Sequence, residues 1–313
     1  MKASVAMFAY NHAKFIGQAI ESVLAQETEF DFELVIGEDR STDETRRIVR
    51  EYKQRYSDRI RLFLNDRNLG SIANFKKTFE ACQGQYVATL DGDDYWTYPG
   101  KLQRQVSFLD THPDHAISFH SAMMVWEAAG REPAVHRPPG QKSTYHVEDL
   151  LVHDFVATSS AVVRRACLPA LPDWWASVPV FDWPFFVLNA LGGRIGYIDE
   201  CWSAYRQHEQ GVYSALPQEQ QMEQNIAVIR IFRGVLGPRY EALLTRALSS
   251  RYLTLAMLYR EKGDAKQAKQ SALMSVQESA TGWWSRWRAR LKAMAYMNVP
   301  GLYRYVANRR AAC

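Results

Sequence analysis

The apolar positions of the first ninety residues alternate between two periods. Short runs at Ala3–Phe8, Phe32–Ile36, Arg59–Leu64 and Tyr86–Leu90 carry the aliphatic and β-branched content of buried strands. Between them the apolar residues recur at helical spacing. Phe15, Ile16, Ala19, Ile20, Val23 and Leu24 share one face, a second helix runs to Tyr52 behind a capping box of Ser41 and Glu44, and a third spans Ser71–Ala81. Strand, helix, strand, helix at this spacing predicts parallel pairing through right-handed crossovers. The expected fold class is α/β, a doubly wound mixed sheet that is mostly parallel.

Further along, Gly100–Leu109 reads as a helix closed by His112-Pro113, and Ala116–Met124 as a strand. Glu127–Ser143 is a loop rich in Pro and Gly, followed by a strand over Ser159–Arg164. A helix opens at Asp182, with Pro184 in its first turn, and short strands are expected at Gly193–Ile198 and Cys201–Tyr205. From Pro217 onward the pattern is helical throughout. Ala247–Glu261 and Ala265–Val276 flank Gly263-Asp264 like one tetratricopeptide hairpin, and one unit is not an array. The expected division is a sheet domain over 1–215 and a helical region over 216–313.

Charge changes this picture only at the end of the chain. The net charge is +4, yet residues 279–313 hold seven Lys or Arg and no acid, which leaves residues 1–278 at −3. Wound as a helix, Trp283, Trp284, Trp287, Leu291, Met294 and Ala295 fall on one arc, edged by Arg286, Arg288, Arg290 and Lys292. Three readings stay open: a helix lying on an anionic membrane surface, one packed on the catalytic domain with its arginines solvated, or a dimer contact. The tryptophans align with the apolar arc rather than interleaving with the arginines, so nucleic-acid binding is not expected. Cys82, Cys167, Cys201 and Cys313 form no CxxC pair, which fits a reducing cytoplasm with neither a zinc site nor a disulfide framework. Met1–Tyr10 is too short and too soon interrupted to be a signal peptide, and no run reaches transmembrane length. The expected location is cytoplasmic, with peripheral membrane contact through the tail.

The candidate chemistry centres on Asp91-Gly92-Asp93-Asp94, directly after a buried strand. Open α/β sheets bind ligands at the carboxyl ends of their strands. Carboxylates crowded there repel one another, and a hard divalent cation relieves the repulsion while holding a diphosphate. The plainer alternative is an acidic turn. Asp182, flanked by Phe181, Trp183, Phe185 and Phe186, is either an N-cap or a general base whose basicity rises with desolvation. His208 lies in Tyr205-Arg206-Gln207-His208, where it is structural or a metal ligand, and Arg206 either meets phosphate or faces solvent. His136, Arg137, His146 and His153 lack any metal-like spacing and read as surface residues.

Taken in order, these motifs resemble the nucleotide-sugar half of the inverting family 2 glycosyltransferases, of GT-A fold. The resemblance rests on Ala9-Tyr10-Asn11-His12, Glu38-Asp39-Arg40-Ser41-Thr42-Asp43, Asn68-Leu69-Gly70 with Asn74, and Leu90-Asp91-Gly92-Asp93-Asp94. The family usually has Asp-Asp-Gly-Ser-Thr-Asp at the second site, where this chain places Glu38 and Arg40, and an acidic pair where it has Phe181-Asp182. The resemblance implies Mn2+ or Mg2+ held by Asp93 and His208, with Asp91 near the ribose or the metal. It further implies a nucleotide-diphosphate donor, of UDP or dTDP type, lined by Ala9, Tyr10, Asn11, Asp39, Asn68, Asn74, Asp91, Gly92, Asp94 and Arg206. Asp39 would meet the base, Asp94 a sugar hydroxyl, and Asp182 would deprotonate a glycan or lipid-linked acceptor in cell-surface polysaccharide synthesis. Two other enzyme classes fit less well: a nucleotidyltransferase wants a Gly-rich basic loop after the first strand, and a dinucleotide enzyme wants GxGxxG there. A non-catalytic saccharide- or partner-binding protein built on the helical C-terminus is the reading of a different class.

Overall fold

The computed structural model describes residues 1–127, 130–168 and 170–279, so the Trp-rich tail over 283–297 and Cys313 lie outside the described residues. Two units divide the chain, Met1–Ala215 and Leu216–Cys313. In the first, β1 (Ala3–Ala9), α1 (Ile16–Leu24), β2 (Phe32–Glu38), α2 (Thr45–Arg55), β3 (Ile60–Leu64), α3 (Ser71–Ala81) and β4 (Tyr86–Asp91) follow the predicted alternation. There follow β5 (Tyr95–Trp96), α4 (Lys101–Thr111), β6 (His115–Trp126), β7 (Ala134–His136), β8 (Thr144–Tyr145), α5 (Val147–Val152), β9 (Val162–Arg164), α6 (Asp182–Ala190) and β10 (Arg194–Gln207). The expected loop after Glu127 thus contains the short strand β7, and β10 is a single strand rather than two.

The strand order is β3-β2-β1-β4-β9-β6-β10-β5, with β7 beside β6 and β8 beside β10. β1 runs parallel to β2 and β4, and β2 to β3. β9 is antiparallel to both β4 and β6, and β6 is parallel to β10. Two reversals cancel. The carboxyl ends of β1, β2, β4, β6 and β10 therefore share one edge of the sheet, where ligand crevices of such folds form.

Helix α1 packs through Ile16, Ala19, Ile20 and Val23, all fully buried, onto a core that takes in Val5, Met7, Leu34, Ile36 and Leu90. On α3, Phe75 is fully buried at the centre of an aromatic array, with ring centroids 4.9 Å from Phe8, 4.5 Å from Phe181, 5.3 Å from Trp175 and 4.9 Å from Phe185. Gly37 lets α3 approach β2, since a Cβ there would sit 1.8 Å from Thr78 Oγ1 and 2.8 Å from Asn74 Oδ1. The expected capping box does not form. Ser41 Oγ instead accepts the Asn11 N–H at 3.0 Å, Glu44 pairs with Arg47, and Asp43 Oδ1 accepts the Thr45 N–H at 2.9 Å.

The second unit contains α7 (Gln218–Val235), α8 (Glu241–Glu261) and α9 (Ala265–Ser279). The last two form a hairpin about Gly263, whose φ of 84° suits the turn, with Ala256, Ala272 and Val276 packed between them. Arg233 fastens α7 to both, through Glu241 at 2.8 Å and Glu278 at 2.6 Å. Among the described residues no helix is long and apolar enough to cross a membrane.

Phe75→Ala is expected to lower unfolding free energy by about 3–5 kcal/mol, the usual loss for a large buried aromatic. Urea denaturation checks it; a change below 1 kcal/mol would show that the array does not anchor α3 and α6 to the sheet.

Candidate active site

β4 ends at Asp91, and the chain turns sharply at once: the Gly92 N–H donates to the Phe8 carbonyl at 2.8 Å and the Asp94 N–H to the Asp91 carbonyl at 3.1 Å. Gly92 is buried and has no room for a side chain, because a Cβ would meet Ile16 Cδ1 at 2.7 Å and His12 Nδ1 at 2.8 Å. Its absence of a Cβ brings the loop beneath His12. Asp93 Oδ2 then lies 3.0 Å from His208 Nε2 and 3.5 Å from His12 Nε2. Sequence reasoning quoted His12 within its motif and gave it no role. Nothing local marks it, since the contact depends on β1 and β4 being neighbours.

The carboxyl groups of this loop behave differently from one another. Burial raises Asp91 well above the usual carboxylate range, and the charges of Asp93 and Asp182 push it the same way. Burial and the neighbouring loop carboxylates Asp93 and Asp91 raise Asp94. Burial would raise Asp93 too, but His12 and His208 outweigh it and hold Asp93 below the ordinary value. Asp182 is raised by burial, partly offset by backbone N–H donors. It is the first residue of α6 rather than the N-cap, which is Phe181, and its Oδ1 accepts the Trp183 N–H at 2.9 Å. The influence of Asp182 on Asp91 brings two stretches about ninety residues apart into one site.

Arg206 is 5% exposed, so of its two expected surroundings solvent does not describe it. Its guanidinium lies 4.9 Å from the Phe15 ring centroid and 4.4 Å from that of Tyr95. It donates to the Asp93 carbonyl and to Gln18 Oε1, and its Nε lies 3.3 Å from Glu127 Oε1. The Arg206 N–H donates to Asp94 Oδ1 at 2.9 Å. Asp94 is 2% exposed, and this bond holds β10 against the acidic loop.

The ends of β1 and β2 form the other wall. Asp39, 2% exposed, accepts from Asn65 Nδ2 at 2.9 Å and from the N–H groups of Leu69 at 2.8 Å and Gly70 at 2.9 Å. Asn74 is buried as well, donating to the Gly37 carbonyl at 2.9 Å and accepting from Asn65 at 3.0 Å. It therefore braces the wall. Asn68 Oδ1 accepts the Gly70 N–H at 2.9 Å, and Asn11 Oδ1 the Thr42 N–H at 2.8 Å. Ala9, buried, accepts the Asp39 N–H at 2.9 Å through its carbonyl, while Tyr10 is exposed beside it.

A divalent cation fits this donor set. Desolvated carboxylates repelling one another are what such an ion relieves, and an imidazole nitrogen on Asp93 supplies a second donor. Among the described residues no group of three or more His, Cys, Asp or Glu is spaced as a closed metal cage. A site of few protein ligands suits Mg2+ or Mn2+, which take substrate phosphates to complete their shell.

Comparison with known proteins bears on this geometry. Residues 4–168 match the family described as glycosyl transferase family 2. An uncharacterised Mycobacterium tuberculosis protein is 38% identical over 210 residues, 67% of this chain and 60% of that one. A Bacillus subtilis glycosyltransferase, TuaG, whose name assigns it provisionally to teichuronic acid biosynthesis, is 31% identical over 163 residues, 52% of this chain and 62% of its own. The chain thus spans about 60% of the length of the curated relatives it matches. Among solved structures, S. aureus TarS 1–349 in complex with UDP-GlcNAc aligns with a TM-score of 0.62 at 18% identity, covering 89% of this chain and 81% of that one. The mannosyltransferase PcManGT from Pyrobaculum calidifontis, in complex with GDP-Man and Mn2+, aligns at 0.61 and 17% identity, covering 99% and 84%. At those identities the structural likeness establishes the fold, which is GT-A. With a sheet built in this order and a family match across more than half its length, the chain belongs to glycosyl transferase family 2.

Proposed function

We propose that the protein is an inverting glycosyltransferase that moves a sugar from a nucleotide diphosphate, of UDP or dTDP type, to an acceptor hydroxyl. The observation that carries the reading is the proximity of Asp182 to the acidic loop, where its charge helps to raise Asp91. One carboxyl group near the developing diphosphate and another set apart on α6 are what a single displacement needs. The acceptor oxygen attacks the anomeric carbon and its proton passes to the Asp182 carboxylate. The bond from that carbon to the diphosphate oxygen breaks, and the nucleoside diphosphate leaves with the electron pair. One displacement inverts the centre, so an α-linked donor gives a β-linked product.

Asp93 and His208 would hold the Mn2+ or Mg2+ ion, which supplies charge stabilisation to the leaving diphosphate when bound. His12, 3.5 Å from the same carboxylate oxygen, helps to keep Asp93 ionised. Asp91 serves the ribose or the same ion, Asp39 braces the base side of the pocket, and the Ala9–Asn11 segment with Asn68 lines it. Gly92 lets the loop pass close under His12. The acceptor is a glycan or lipid-linked saccharide of a cell-surface polymer, reached at the cytoplasmic membrane face. The name of the B. subtilis relative and the basic, Trp-rich tail support that choice.

Titration of UDP, dTDP and GDP in the presence and absence of Mn2+ is expected to show metal-dependent binding of one nucleotide by the wild type and its loss in Asp93→Asn. No binding of any of them by folded protein would sink the donor assignment. Asp182→Asn is expected to keep nucleotide affinity while turnover falls by about 10²–10⁴-fold; weakened nucleotide binding would instead mark Asp182 as a structural residue. Because burial raises Asp182, the acid limb of the pH–rate profile should lie above the ordinary aspartate value of about 3.9, with rate lost as pH falls through it. A profile flat down to that value would exclude Asp182 as the base.

A further inference from the structure

Arg40 has a φ of 60°, in the left-handed region. Asn11, at 56° on the neighbouring loop, is a residue that tolerates this conformation, whereas a long side chain such as arginine adopts it at a cost. The conformation persists because both flanks are fixed. Before it, Asp39 is bound by Asn65, Leu69 and Gly70. After it, the Ser41 N–H donates to Glu38 Oε1, Ser41 Oγ accepts from the Asn11 N–H, and the Thr42 N–H donates to Asn11.

The side chain that this strained backbone carries is exposed, and among the described residues it makes no hydrogen bond, ion pair or ring contact. The nearby arginines differ. Arg46 reaches Glu38 and the Asn65 carbonyl, and Arg47 pairs with Glu44 and Glu51. A strained backbone retained beside a ligand crevice, carrying an unpaired guanidinium, marks a residue kept for what it touches outside the protein. A guanidinium is planar and weakly hydrated, suited to lying on an aromatic face or donating to its carbonyls.

We propose that Arg40 is a specificity-determining residue of the donor site, its guanidinium set against the nucleobase. The inference rests on the donor reading given above and adds to it the group that selects among bases. The β2 loop carrying it is knit by Asp39 and Asn11 to the loops after β3 and β1, which the donor reading assigns to the base side.

The test titrates UDP, dTDP and GDP with Mn2+ into wild type, Arg40→Gly and Arg40→Lys, with thermal melts of each. For the nucleotide the wild type prefers, Arg40→Gly should lose about tenfold in affinity, as for a lost cation–π contact, and its preference over the other two should narrow. Arg40→Lys should restore only part of the loss, since an ammonium lacks the plane. The melting temperature of Arg40→Gly should hold or rise, because glycine adopts this φ without strain. Unchanged affinity overturns the proposal. So does an equal loss for all three nucleotides, which places the charge on the phosphates, and so does a lowered melting temperature with binding lost in proportion. Failure of the wild type to bind any nucleotide is a different failure, that of the donor reading, and this inference falls with it.

Discussion

Everything at the carboxyl edge of the sheet answers to one constraint: four carboxyl groups, Asp91, Asp93, Asp94 and Asp182, share a volume with little water. Desolvation works against ionisation of each, and neighbouring carboxylates compound it at Asp91 and Asp94. Only Asp93 has enough positive neighbours to stay below its ordinary value, and those neighbours, His12 and His208, come from the ends of β1 and β10. The sheet order is thus part of the electrostatics. With only one of the two reversals at β9, β10 would run the other way and its histidine would lie at the far edge.

The motif residues divide into two kinds that share one appearance in a sequence. Asp93 and His208 meet side chain to side chain, and Asp182 lies near enough to Asp91 for its charge to act there. Asp39, Asn74, Asp94 and Arg206 are consumed internally, bracing loops that hold no regular structure of their own. A buried guanidinium sandwiched by Phe15 and Tyr95 and anchored to a backbone carbonyl is a rigid peg. It fixes the acidic loop relative to α1 and β10 together, which preorganises the site at the expense of burying a charge.

Periodicity made the α/β half legible, because buried parallel strands and amphipathic helices carry their burial in their spacing. The failures are equally physical. Ser41 and Glu44 have the spacing of a capping box, but the serine hydroxyl is claimed by an amide thirty residues away, which no local pattern reveals. Asp199 and Glu200 look like a break between two strands, yet the pairing with β6 continues through an irregularity there. His12 required knowledge of which strands are neighbours. Arg206 read as a solvent or phosphate residue because arginine is seldom buried, and only the two aromatic rings and Glu127 explain why this one is.

The irregularity in β10 has a consequence for how this chain can vary. Between the pairs Ile198–His120 and Ser203–Ala122, β10 advances five residues while β6 advances two. The excess is odd, and side chains alternate along a strand, so the irregularity sets which parity of residues faces the acidic loop. Arg206 and His208 share that parity. A single-residue insertion or deletion between the irregularity and Arg206 would turn both away together and present Tyr205 and Gln207 in their place. Length changes in this segment are therefore confined to even steps, a phase rule of the kind that governs gear teeth, and it acts on a stretch whose composition gives no sign of it.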